Sequence, residues 1–334
     1  MTRRTQRLVL AFVLGALSAL AIYGCSGRGA SSTAAGADAG ADANATSVTT
    51  VVAGEDSGSN APPPDDAGAP TDAAPDSGLP GWTLVWSDEF NGPDGSAVDT
   101  TYWTQETGNA GWDDNHELEY YTPGTDNAVV AGGNLVITAQ SAGASAYTCE
   151  YGACQYTSAR MNTSGKFQQA YGRFESRILL PSGQGMWPAF WVLGDNIGTV
   201  GWPQCGEIDI MENIGSTPST NYGSMHGPGY SGAQDLTGSY SLSDGGTLSD
   251  GFHVYAVEWA PEVVRFYFDG VSYETRTPAD VPDGDVWVYD HPFFVILNVA
   301  VGGYWPGNPD STTQFPQTML VDYVRVYAQS EDGG

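Results

Sequence analysis

From Trp82 onward the chain alternates short apolar runs with clusters of Gly, Pro, Asn and Asp. RFESRILLP (173–181), FHVYAVEWAP (252–261), VVRFYFDG (263–270), FFVILNVAVGG (293–303) and MLVDYVRVYA (319–328) are rich in β-branched and aromatic residues. Such runs suit a pleated, half-buried surface, and the clusters between them are turn chemistry. Asp269-Gly270, set between two runs, is a hairpin signal. No long stretch repeats with the helical period. Roughly 250 residues of short strands with regular turns predict one all-β sandwich. In the last run Val321, Tyr323, Arg325 and Tyr327 alternate with Asp322, Val324 and Val326, the pattern of a terminal strand stitched into a sheet.

The first 80 residues follow different rules. Arg3, Arg4 and Arg7 precede an uncharged apolar run from Leu8 to Tyr23. Residues 1–24 therefore read as a secretory signal, too short to span a bilayer comfortably. The run ends in IYGC, which resembles a bacterial lipoprotein processing site and implies lipidation of Cys25; plain secretion and an uncleaved anchor are the alternatives. Arg3-Arg4 lacks the apolar continuation that twin-arginine export needs. Residues 25–80 are Ala, Gly, Ser, Thr, Asp and Pro, with eight acidic residues against one Arg. So little apolar surface cannot offset ordering entropy, so this segment is expected to be a disordered, solvated tether. The expected folded domain spans 81–330.

Composition narrows the partner. The chain has 334 residues, 11 Lys and Arg, and a net charge of −28. That excludes nucleic acid and an anionic membrane surface, both of which need clustered basic residues. Membrane contact is expected only through the N-terminal anchor, and the protein is expected to be a monomer with a neutral ligand. Four cysteines are too few for a disulfide-built scaffold. Cys149 and Cys154 in TCEYGAC are spaced for a short loop disulfide, although spacing alone leaves free thiols equally open. Cys205 reads as a buried, inert thiol.

The candidate chemistry lies in GEIDIMENIG (206–215). On a regular strand Glu207 and Asp209 share a face, and Glu212 points the other way. A β-bulge, one extra residue around Ile210–Met211, returns Glu212 to the common face. The two glutamates would then lie four strand steps apart, roughly 13 Å between Cα atoms. Leaning together, their carboxyls reach about 5–5.5 Å, the separation of a retaining glycosidase. Like charges so close push pKa values apart, so that one carboxyl stays protonated while another is ionised. A surface strand and a calcium site are the competing readings of three clustered carboxylates. The upstream GQGMWPAFWVLG (183–194) favours sugar: Trp187, Ala189 and Trp191 share a face, and Trp202 follows in GWPQ. Indole rings stack on the C–H faces of pyranoses.

Taken with WSDEFNG, ETGNAGWDDNHELEYYT, YTSARMNTSGKF and YGRFESRILLP, these motifs resemble glycoside hydrolase family 16 over Trp82 to Tyr327, and most closely its bacterial laminarinase (endo-β-1,3-glucanase) branch. The resemblance implies a concanavalin A-like β-jelly-roll sandwich with an open cleft on its concave face, hydrolysing β-glucans with retention. It implies Glu207 as nucleophile, Glu212 as acid/base and Asp209 as the residue tuning Glu207. It places Trp187, Trp191, Trp202, Arg160, His226 and Asn109 along the sugar subsites. No cofactor is implied for catalysis. A structural Ca²⁺ is implied away from the cleft, held by Asp322, Glu89 and a carbonyl near Gly133. Asn115-His116 departs from the family pattern, in which Asn-Asn or Asn-Gln commonly precedes Glu-Leu.

Two rivals stand beside this reading. A non-catalytic β-glucan-binding module would share the fold but lack the acid pair. The same chemistry on mixed-linkage glucan, agar, carrageenan or xyloglucan would keep the acids. So few basic residues weigh against a sulfated galactan. Transfer to an acceptor sugar instead of water is decided by no residue in the sequence.

Overall fold

The computed structural model describes residues 79–109 and 115–330. The expected signal segment, Cys25 and nearly all of the expected linker lie outside the described residues. In chain order the strands are β1 Trp82–Asp88, β2 Thr104–Gln105, β3 Glu119–Tyr121, β4 Ala128–Ala131, β5 Asn134–Ala139, β6 Thr148–Cys149, β7 Gly152–Ala153, β8 Tyr156–Ser158, β9 Arg160–Asn162 and β10 Gly172–Leu179. They continue with β11 Met186–Gly194, β12 Glu207–Glu212, β13 Thr220–His226, β14 Leu236–Ser241, β15 His253–Ala260, β16 Val263–Phe268, β17 Val271–Arg276, β18 Phe293–Val301 and β19 Gln317–Gln329. Among the described residues the α-helical content is one turn, Ile197–Val200.

Two antiparallel sheets form the sandwich. One has the order β17-β16-β15-β10-β19-β5-β4, with β1 also pairing to β19; the other runs β14-β13-β12-β11-β18-β9-β2. This is the sandwich expected from the patterning, in the jelly-roll form that the resemblance implies. The terminal strand β19 is central, hydrogen-bonded to β10, β5 and β1. The β16–β17 hairpin turns through Asp269 (φ 46°) and Gly270 (φ 76°), the two positive-φ residues that a tight hairpin of this twist requires.

Alternation along each strand builds the core. Phe174 and Ile178 of β10, Val257 and Trp259 of β15, and Val324 and Val326 of β19 point inward from the larger sheet. Phe293, Val295, Leu297, Val299 and Val301 of β18 meet them from the smaller one. Each such side chain contributes roughly 1.5–3 kcal/mol by leaving water. The opposite parity of β18, Phe294, Ile296, Asn298 and Ala300, faces away from that core. All nine residues of β18 are buried, and Trp191 and Ile197 pack against the cluster that holds Phe294 and Ile296.

The structure assigns the expected calcium ligands a different partner. Arg177 donates from Nη1 to Asp322 Oδ2 at 2.7 Å, and Arg325 grips both oxygens of Glu89 at 2.9 and 2.7 Å. Each carboxylate thus has a guanidinium partner, which engages one oxygen of Asp322 and both oxygens of Glu89. The two short strands β6 and β7 are closed by a Cys149–Cys154 disulfide, which resolves the alternative that spacing left open.

Candidate active site

The outer face of the smaller sheet carries the site. On β12, Ile208, Ile210 and Met211 all enter the core. Two consecutive inward residues mean a bulge. Asp209 pairs with Trp191 and Met211 with Phe190, which leaves Ile210 as the extra residue; on the other side the register slips between Asp209 and Glu212. The bulge returns Glu212 to the face of Glu207 and Asp209. Apolar burial drives this, because the core rewards placing Ile210 and Met211 inside together. Gly206 makes the turn into the strand at φ 72°, where an added Cβ would lie 2.9 Å from the Phe293 ring.

Neighbouring strands complete a cleft of about 860 Å³. Trp187, Ala189 and Trp191 of β11 form its floor, as their shared parity predicts, with Tyr222, Ser224 and His226 of β13 beside the acids. Arg160 of β9 and Trp202 also line it. Each glutamate receives one indole N–H: Trp202 Nε1 donates to Glu207 Oε2 and Trp187 Nε1 to Glu212 Oε1, both at 2.9 Å. Trp191 is pinned from two sides. Its Nε1 donates to Asn298 Oδ1 at 2.8 Å, and the Arg160 guanidinium lies 4.8 Å from its ring centroid while pairing with Glu106 at 3.1 Å.

Asp209 is nearly sealed, and His226 Nε2 lies 3.0 Å from its Oδ2. The same nitrogen is 3.8 Å from Glu207 Oε1 and 3.8 Å from Asp235 Oδ2. The ring's tautomer follows from its other side: Gly232 N–H donates to Nδ1, so in the neutral imidazole the proton sits on Nε2. Glu207, Asp209 and His226 do converge within 4.8 Å of one another. A protonated Nε2 is a donor, however, and not a metal ligand.

Burial raises all three carboxyl pKa values. Desolvation and then the charge of Asp209 push Glu207 up to about 8. Asp209 rises through desolvation and the charge of Asp235, and Glu212 rises well above the carboxylate range through desolvation and the charge of Asp209. Three buried carboxyls without a guanidinium salt bridge cannot all ionise. Glu207 and Asp209 hold one proton between them, and Glu212 keeps its own. His226, the Trp202 N–H and Arg160 oppose the rise at Glu207.

Asn109 does not join the cleft. Its amide donates to the carbonyls of Glu119 (2.8 Å) and Glu117 (3.3 Å) and accepts from Glu150 N–H (3.0 Å), so it struts the loop behind the wall. Cys205 is buried, and its thiol is pushed up to about 11 by desolvation and by the charge of Glu207, as an inert thiol should be. Among the cleft residues that escaped the sequence reading are Asn298, Tyr222, Asp235 and Trp305. Asn298 had a signal, being the one polar residue inside the apolar run FFVILNVAV. Trp305 sits in a conspicuous GYWPG turn. Tyr222 and Asp235 have no local signal.

Two glutamates on one bulged strand, a buried aspartate between them and a floor of tryptophans define a glycoside hydrolase. The chain belongs to Glycosyl hydrolases family 16, whose family model matches residues 115–325. It is 42% identical over 257 residues to a beta-glucanase of Rhodothermus marinus, the alignment covering 74% of this chain and 86% of that protein. The laminarinase catalytic domain of Thermotoga maritima MSB8 matches with TM-score 0.70 and 50% identity, over 75% of this chain and 99% of that one. The endo-beta-1,3-glucanase of Pyrococcus furiosus matches with TM-score 0.70 and 48% identity, over 75% and 95%.

Proposed function

We propose that this chain is an endo-acting, retaining β-glucan hydrolase that cleaves the β-1,3-glucosidic bonds of laminarin-type glucans. The observation carrying this reading is the bulge at Ile210–Met211, which sets Glu207 and Glu212 on one face with an indole N–H on each. The relatives named beta-glucanase, laminarinase and endo-beta-1,3-glucanase support the substrate class. So does the cleft's charge. Five carboxylates line it (Glu117, Glu207, Asp209, Glu212 and Asp235) against one arginine, Arg160, a lining that suits a neutral polysaccharide and repels a sulfated one.

The chemistry proceeds in two steps. Glu212 gives its proton to the departing glycosidic oxygen while the Glu207 carboxylate bonds to the anomeric carbon, breaking the C–O link to the leaving chain. Glu212, now ionised, takes a proton from water; the resulting hydroxyl replaces Glu207 at carbon and restores the starting configuration. Asp209 shares a proton with Glu207 and so tunes the nucleophile between attack and release. Stacking on Trp187, Trp191 and Trp202 binds several sugar units, which favours cutting within the chain.

The test is a panel of laminarin, curdlan, lichenan, agarose and xyloglucan, with product sizing and NMR of the newly formed anomeric centre. Release of β-configured oligomers from laminarin, abolished in Glu207→Ser with its fold intact, is the expected result. Wild-type-like release of reducing ends by Glu207→Ser would end the assignment. Inverted products would reassign the mechanism. The N-terminal pattern supports export and anchoring through lipid on Cys25, with residues 25–80 as tether. Metabolic labelling with a fatty acid should mark the wild type and spare Cys25→Ala, and an unlabelled wild type would remove the anchor.

A further inference from the structure

Tyr304 is the most exposed large hydrophobic side chain among the described residues, at 75%, and it stands at the edge of the cleft. Isolated exposed aromatics are ordinary on flexible turns. This one is held rigidly. Its N–H donates to Asn115 O at 2.9 Å, Leu118 N–H donates to Val301 O at 2.8 Å, and Gly302 N–H donates to Gly185 O at 2.8 Å. Gly303, at φ 110°, lets the backbones meet, since a Cβ there would lie 2.7 Å from Asn115 O. His116, itself at φ 56°, sets its ring against Tyr304 with centroids 4.4 Å apart. Next along the wall, Trp305 contacts Trp187, the indole that holds Glu212, with centroids 5.3 Å apart. Tyr304 and Trp305 are consecutive residues, and both line the cleft that holds Glu212.

Resting on the function proposed above, we propose that Tyr304, backed by His116, is an outlying sugar subsite: a platform on which a pyranose ring of the same β-glucan chain stacks beyond the residues around the scissile bond. Continuity with the cleft identifies the occupant, because a polysaccharide leaving the site on the Glu212 side meets this ring next. The ring's apolar face suits the C–H face of a sugar, and its fixed backbone means little ordering cost on binding. His116 stands where the family pattern commonly has Asn or Gln, so the ring that backs Tyr304 is a feature of this chain's own residues.

The consequence is a dependence on substrate length. Tyr304→Ala should raise KM for long laminarin by ~3- to 10-fold with little change in kcat, the effect of one lost aromatic stack. A trisaccharide too short to bridge the site and the platform should show no such shift, so the polymer-to-oligomer ratio of kcat/KM falls. Tyr304→Phe, which keeps the ring, should restore the ratio. Equal losses on polymer and oligomer, or an unaltered polymer KM in a folded Tyr304→Ala, would overturn the platform and leave the hydrolase standing. Failure of the wild type to cleave any β-1,3-glucan would instead remove the function on which the platform rests.

Discussion

The two sheets handle carboxylates in opposite ways. On the outer face of the larger sheet, acids stand beside guanidiniums. Glu175 takes Arg173 at 2.7 Å with both side chains almost sealed, Asp322 takes Arg177, and Glu89 takes Arg325. On the smaller sheet, Glu207, Asp209 and Glu212 are buried together with indole N–H groups and one imidazole for company. A guanidinium fixes a carboxylate in its ionised form, which stabilises structure and ends its chemistry. Neutral donors orient a carboxyl while leaving its proton free to come and go. Under the proposed function, the same residue type thus serves as a rivet on one sheet and as an acid or nucleophile on the other.

That contrast can be tested from either side. The largest effect should come from Glu212→Gln, which removes the labile proton: kcat/KM should fall by about 10²–10⁴-fold and the alkaline limb of the pH profile should vanish. A retained alkaline limb would place the acid elsewhere. On the other sheet, Arg173→Met leaves Glu175 buried with Tyr323 O–H as its remaining close donor. Urea denaturation should show a loss of about 3–5 kcal/mol, with activity kept in the folded fraction. A negligible loss would mean that Glu175 needs no cation, and the contrast between the sheets would collapse.

Smaller effects report on the indoles and on protons. Trp202→Phe keeps an aromatic face but removes the N–H that favours ionised Glu207. Its activity should fall roughly 10- to 100-fold, with the acidic limb moving to higher pH. A limb that stays in place would assign Trp202 to sugar stacking alone. The smallest effect is on stability. Because the folded-state pKa of Glu207 is raised to about 8, the native state binds more protons than the unfolded chain between the ordinary carboxylate range and that value. Wild-type stability therefore falls as pH rises through this window. Glu207→Gln, which never ionises, should gain a few degrees of Tm over wild type at pH 8 and little or nothing at pH 4, as read by calorimetry. A pH-independent difference would show that burial does not strain this carboxyl.

Much of the site was legible because its signals are local. Parity alone placed Trp187, Ala189 and Trp191 on one face, and the spacing of Glu207, Asp209 and Glu212 demanded a bulge at the residues where one occurs. The partners of Asp322 and Glu89 were not legible, because Arg177 and Arg325 are remote from them in sequence, by 145 and 236 positions. Pattern shows that a carboxylate faces outward. It does not show whether a guanidinium waits there.

The order of apolar and polar residues was enough to determine an all-β sandwich, the kinked strand and the three acids, since side-chain alternation and core burial act over a few residues. Tertiary structure alone decided which acids are neutralised, which indole N–H holds which glutamate, and that Tyr304 stands rigid at the end of the cleft. Those outcomes depend on strands distant in sequence arriving in register. Hydrogen bonds and ion pairs form only over a few ångströms, so no single segment of the chain encodes them.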